Sequence, residues 1–120
     1  MPYYKETVPL ESEEHIAVAD YLKYLGVLFN HSPNEGKREV QYVVKLSRMG
    51  MKKGFPDFFI YEPRGIYHGL AIELKRVKGS RVTDEQKECL RALEIRGYKA
   101  EVCKGFEEAK KVIDNYLRGK

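Results

Sequence analysis

Two carboxylates and a lysine near the middle of the chain have the types and order that metal-assisted phosphodiester chemistry needs. Gly54-Phe55-Pro56-Asp57 leads into the apolar run Phe58-Phe59-Ile60-Tyr61, and a second run, Leu70-Ala71-Ile72, closes on Glu73-Leu74-Lys75. Pro56 fixes φ and has no amide to donate, so it marks a strand start and leaves Asp57 at the strand mouth. Alternation along the second run puts Leu70, Ile72 and Leu74 on one face and Ala71, Glu73 and Lys75 on the other. Glu62-Pro63-Arg64-Gly65 supplies a turn between the runs, which allows Asp57 and Glu73 to meet on adjacent strands. Two carboxylates that close repel each other unless a cation lies between them, and oxygen donors of this kind suit Mg²⁺ or Mn²⁺. Alone, Glu-x-Lys is an ordinary solvated strand face and an acid after proline an ordinary turn cap. The set of three is what points to hydrolysis beside a phosphate.

The chain that must position these residues has 120 residues, the length of one domain with one core. Apolar content of 42% and aromatic content of 12%, nine Tyr and five Phe with no Trp, argue for a folded globule and against disorder. A net charge of +4 suits a polyanionic partner without requiring one. No stretch approaches the ~20 apolar residues of a membrane span, and the first residues lack a signal-peptide pattern. Cys89 and Cys103 have no metal-ligand spacing and read as buried free thiols in a reducing, cytoplasmic setting.

Periodicity and punctuation give the elements. Residues 1–10 read as an N-terminal arm and 11–120 as a single domain. A helix is expected from Glu11 to Leu25, capped by Ser12 and stopped by Gly26, with Val18, Leu22 and Leu25 inward and Ile16 and Ala19 beside them. Val27-Leu28-Phe29 reads as a short buried strand and His31 to Gly36 as a loop. A second helix from Arg38 to Met49 should turn Val40, Val43 and Val44 inward. Strands at 58–61 and 70–75 follow, then a helix capped by Thr83 with Gln86 at the capping-box position, ending near Arg96 before Gly97. A strand from Lys99 to Cys103 and a helix from Phe106 to Leu117, with Ala109, Val112, Ile113 and Tyr116 inward, complete the chain. The fold class is therefore α/β, a mixed central sheet of about four strands flanked by helices.

Gln86 shares a stripe with Leu90 and Leu93 and so points toward the sheet, where a polar side chain needs partners. It serves either as a contact to Lys75 or a scissile phosphate, or simply as a helix cap. Lys45, Arg48, Lys52 and Lys53 precede the Asp57 strand, and Lys75, Arg76, Lys78 and Arg81 follow the Glu73 strand. Such clusters are commonly solvated faces, but around a metal site they are suited to backbone phosphates. Asn34, Lys37 and Arg38 reach toward the same partner from their loop. His31 and His68 read as isolated surface or structural histidines.

Gly-x-Pro-Asp, a spacer, then Glu-Leu-Lys resembles the PD-(D/E)XK restriction-endonuclease-like superfamily, and most closely its virus-type replication–repair nuclease (VRR-NUC) branch. Asn34-Glu35-Gly36-Lys37-Arg38, Met49-Gly50, Thr83-Asp84-Glu85-Gln86, Gly97-Tyr98 and Val102-Cys103 extend the resemblance over nearly the whole chain. It implies a restriction-endonuclease-like core and hydrolysis of DNA, branched or flapped DNA above all, in replication, recombination or repair, in a bacterial cell or a phage-infected host. It implies Asp57, Glu73 and the Leu74 backbone carbonyl as ligands of Mg²⁺ or Mn²⁺, one ion or two. Lys75 would orient the attacking water, with Gln86 beside it. The branch often adds an acid or amide from the first helix. Here Glu14 fits best by its spacing to Val18, while Glu11 and His15 compete. His15 stands where many relatives carry Gln or Glu, and an imidazole tolerates Mn²⁺ better than Mg²⁺. A chain this short covers little DNA, so a homodimer is expected. The competing readings are a non-catalytic nucleic-acid-binding module on the same fold and a small assembly domain with no nucleic-acid role.

Overall fold

A computed structural model describes residues 9–32 and 40–119. Its elements run α1 (Glu11–Leu25), β1 (Phe29–His31), α2 (Val40–Arg48), β2 (Phe58–Ile60), β3 (Leu70–Lys75), α3 (Asp84–Ile95), β4 (Lys99–Lys104) and α4 (Gly105–Leu117). The strands form one sheet in the order β1-β2-β3-β4. The first two pairings are antiparallel and β3 with β4 is parallel, the crossover being α3. This is the mixed four-strand α/β sheet expected from the sequence.

Register fixes which side chains share a face. Ile72 stands between Phe58 and Glu101, and Leu70 pairs with Ile60. Phe58, Ile60, Leu70, Ile72 and Leu74 therefore make one apolar face, on which Val18 and Leu22 of α1 and Ala109, Ile113 and Tyr116 of α4 close the core. Each large side chain buried there contributes about 1.5–3 kcal/mol. The Tyr21 hydroxyl of α1 donates to Asp114 of α4 and clamps the two helices together, which pushes its phenol up to about 12. On the opposite face, α3 lies over β3 and β4. Leu70 to Leu74 are all buried because both faces of β3 are covered. Cys103 lies in the core and burial pushes its thiol up to about 12; Cys89, half-buried on α3, is also raised by burial. Both stay protonated at neutral pH, so neither is a ready nucleophile.

Several expectations are corrected. The helix begins at Glu11 as expected, but its N-cap is Leu10 and not Ser12, and Glu13 reaches back to accept from the Leu10 amide (2.9 Å). Ile16 is exposed. The first strand starts at Phe29 and not Val27. Gly26 takes a left-handed conformation (φ 73) that lets the Val27 amide still donate to the Leu22 carbonyl (3.4 Å). The chain is thus held by the helix end until after Val27, and Leu28 is left exposed. Val43 and Val44 are exposed rather than inward, because no described element closes over that side of α2. The side chain of Val40, the residues 1–8 of the arm, and the loop residues Asn34, Lys37 and Arg38 lie outside the described residues.

One contact ties the basic loop to α3. Gly54 has φ 89, and a Cβ there would stand 2.7 Å from the Glu85 carbonyl group. Only glycine lets the loop before Asp57 pass this close to the first turn of the helix that carries Gln86. Gly54→Ala is expected to cost about 1–3 kcal/mol from backbone strain, with the steric clash in addition. Gly50→Ala also has positive φ but meets nothing within 4 Å, and should cost less. Urea denaturation of both variants checks the order.

Candidate active site

The β2–β3 register pairs Phe58 with Ile72. One step beyond the strand end, Asp57 therefore stands beside Glu73. Each is 1% exposed. Asp57 is tied to both neighbouring strands. Its Oδ2 accepts the Leu74 amide (2.8 Å), and its backbone carbonyl accepts the Ser32 amide (2.7 Å). Glu73 Oε2 meets Lys75 Nζ at 3.7 Å and accepts from Gln86 Nε2 at 3.3 Å. Period-two geometry brings Lys75 and Glu73 to one face, while α3 brings Gln86 down on them.

Gln86 makes the helix cap, and its remaining amide group makes a contact other than the one expected. Its Oε1 accepts the Thr83 amide (2.9 Å) and its own amide donates to Thr83 Oγ1 (3.2 Å), which closes a capping box on α3. Its Nε2 is left to reach Glu73, rather than Lys75 or a phosphate.

The three first-helix candidates separate by helical geometry. Successive residues point about 100° apart, whereas residues four apart share a side. Glu14 turns to the start of α4, where Oε2 accepts the Phe106 amide and satisfies an open helix-end donor. His15 turns to β1, where Nδ1 lies 2.8 Å from His31 Nε2. Glu11, one turn before it and largely exposed, has Oε1 3.8 Å from His15 Nε2.

His31 was read from the sequence as an isolated histidine in a loop, and this is corrected. It is the last residue of β1, paired with Phe58. His15, His31 and Asp57 offer ligand atoms all within 4.8 Å of one another. Phe58 forms the apolar floor beneath both imidazoles, with ring centroids 5.7 Å from His15 and 4.6 Å from His31. The available signal was the spacing Phe29-x-His31, which puts His31 on the inward face once β1 is shifted by two residues.

The basic side chains fall into two settings. Lys52 and Lys53 are exposed on the loop that Gly54 holds against α3, where the Lys53 carbonyl also accepts from Cys89 Sγ (3.6 Å). Arg76 and Lys78 follow β3. Lys78 is exposed, while Arg76 is half-buried and its Nε donates to the Pro9 carbonyl (3.3 Å).

A profile of the VRR-NUC domain matches residues 11–107. The chain belongs to the VRR-NUC family. Proteins with this domain are generally nucleases. A solved structure named "VRR_NUC domain protein" is similar to this chain over 97% of its length and 93% of that structure's own, with 33% sequence identity and a TM-score of 0.80. Another, named "VRR_NUC domain", is 21% identical over 88% of this chain and 96% of its own at a TM-score of 0.59, and bears on the fold alone. No curated protein matches the chain.

The donors at the end of this VRR-NUC sheet fit a divalent cation. Buried carboxylates at neighbouring positions and two imidazoles within 4.8 Å of Asp57 make a polar cluster inside an apolar shell. His15 Nε2 is buried with no hydrogen-bond partner among the described residues.

Asp57 has two separable roles here, as acceptor and as charge. Asp57→Ala strands the buried Leu74 amide and should cost about 1–3 kcal/mol. Asp57→Asn keeps an acceptor while removing the charge beside Glu73, and should unfold at or above the wild-type temperature in chelator. Thermal denaturation of the two variants side by side reads this ordering.

Proposed function

We propose that this protein is a metal-dependent DNA endonuclease that acts on branched or flapped DNA in replication, recombination or repair. One observation carries the reading. In a VRR-NUC chain, Asp57 and Glu73 are buried at neighbouring positions of β2 and β3, with Lys75 and Gln86 both on Glu73 Oε2. A pure binding module gains nothing from two desolvated acids where phosphate must approach.

Asp57, Glu73 and the Leu74 carbonyl hold Mg²⁺ or Mn²⁺ in this reading, with His15 in place of Glu14 as the first-helix contribution, since Glu14 is engaged at α4. A divalent ion there supplies an acidified water and neutralises phosphate oxygens. Lys75 Nζ, half-buried beside Glu73, holds the water in line and donates to the phosphate oxygen that gains charge. Gln86 fixes Glu73 Oε2, and through its cap fixes α3, so Lys75 has one geometry to adopt. In this step water would add to phosphorus and give up a proton to solvent, the bond to the leaving sugar oxygen would break, and that oxygen would take a proton from solvent water. Lys52, Lys53, Arg76 and Lys78, with Asn34, Lys37 and Arg38, contact backbone phosphates without reading sequence. Two copies of the chain on one substrate would place two such sites on a junction, and the cytoplasm of a bacterial or phage-infected cell is the setting.

The test is a panel of labelled linear, single-stranded, flap and four-way DNAs, each with Mg²⁺, Mn²⁺ or chelator. Metal-dependent products on the branched substrates are expected, with Glu73→Gln and Lys75→Ala slower by at least about 100-fold. DNA retained but never cut under any metal would replace this reading with the non-catalytic module. Independently, the double variant Lys52→Ala/Lys53→Ala should flatten the slope of log binding constant against log salt by about 2, measured by fluorescence anisotropy on duplex DNA.

A further inference from the structure

The proposed reaction uses Asp57, Glu73, Lys75 and His15, and it does not explain why a second histidine, His31, is brought onto Asp57 from a different element. His15 comes from α1 and His31 from the end of β1, and their nearest nitrogens, Nδ1 and Nε2, are 2.8 Å apart. His15 is 8% exposed. The nitrogen–nitrogen contact is a hydrogen bond between the rings; two nitrogen donors on one ion at ~2.1 Å stand about 3 Å apart at right angles and about 3.4 Å at the tetrahedral angle, so an ion that displaces the shared hydrogen needs the rings to part by only a few tenths of an ångström. The Asp57 carboxylate lies within the same 4.8 Å cluster. Phe58 packs under both rings and restricts their turning. Glu11 approaches His15 on the ring side away from His31 (3.8 Å from Nε2), as a carboxylate behind a ligating imidazole does when it sets ring orientation.

We propose that His15, His31 and Asp57 form a nitrogen-rich cation site that takes a divalent transition ion, Zn²⁺ or Mn²⁺, in preference to Mg²⁺. Magnesium favours oxygen donors and dehydrates reluctantly, whereas imidazole suits Zn²⁺ well and is tolerated better by Mn²⁺ than by Mg²⁺. The inference rests on the proposed reading in that Asp57 and His15 are shared, and it adds His31, which the acid–acid–lysine pattern does not include. Glu11 is a positioning residue.

The test reads the ligand atoms and not turnover. Mn²⁺ is titrated into the full chain at neutral pH with electron paramagnetic resonance, and the bound ion is examined by electron spin echo modulation for coupled ¹⁴N. Expected results are ¹⁴N modulation from imidazole, and Mn²⁺ bound at least about 10-fold more tightly than Mg²⁺ in competition. His31→Asn, checked for folding by circular dichroism, should weaken Mn²⁺ by about 10-fold or more and diminish the modulation, while Mg²⁺ affinity barely moves. Bound Mn²⁺ without ¹⁴N coupling, which requires no variant to fold, would overturn the proposal. So would a folded His31→Asn chain with unchanged Mn²⁺ affinity. Cleavage that persists alongside either result leaves the nuclease reading standing and sinks only this one. Nitrogen-coupled Mn²⁺ in a protein that cuts no DNA supports this site and removes the nuclease reading.

Discussion

Two carboxylates buried at adjacent strand positions are the constraint around which this domain is arranged. An ionised acid out of water costs several kcal/mol unless charge and hydrogen bonds replace its solvent. Asp57 and Glu73 are both almost fully buried, so each must be answered locally. Asp57 is answered by the Leu74 amide, and Glu73 by Lys75 and the Gln86 amide. The apolar face of β2 and β3 offsets the remainder, because Phe58, Ile60, Leu70 and Ile72 are packed solid on the other side of the same strands.

The helices can be understood as supports for that arrangement. α3 is pinned at its first turn by a capping box that uses Gln86, and by Gly54 passing against the Glu85 carbonyl. α1 sends successive residues in different directions, Glu14 to the start of α4 and His15 to β1. A single turn of α1 therefore couples the packing of α4 to the histidine–aspartate cluster. A change in that turn is felt both in the core and at the site, and variants there need a measure of folding beside any measure of function.

Outside this frame the surface is basic and partly apolar. Lys52 and Lys53 stand exposed on the loop held by Gly54, a few residues before the buried Asp57. α2 contributes nothing to the described core, and its exposed valines show how an amphipathic pattern in sequence specifies a face without specifying what covers it.

The order of elements, the mixed sheet and the limits of β3 were all legible from the sequence, because period-two and helical patterns are local properties and Pro56, Gly26 and Thr83 punctuate them. The set Asp57, Glu73 and Lys75 was legible for the same reason, since one residue marks a strand mouth and two share a strand face. The first-helix assignment was not. Glu11, Glu14 and His15 all fall near one face by spacing, and only the positions of α4 and β1 decide which way each side chain has somewhere to go. His31 was not legible either. Its part in the cluster depends on a helix end that delays β1 by two residues and on an antiparallel register that sets it against Phe58, far from it in sequence. Local chemistry is written along the chain, but which groups meet across elements is decided by packing, because the free energy that brings His15 and His31 to Asp57 is gained in the core and not at the site.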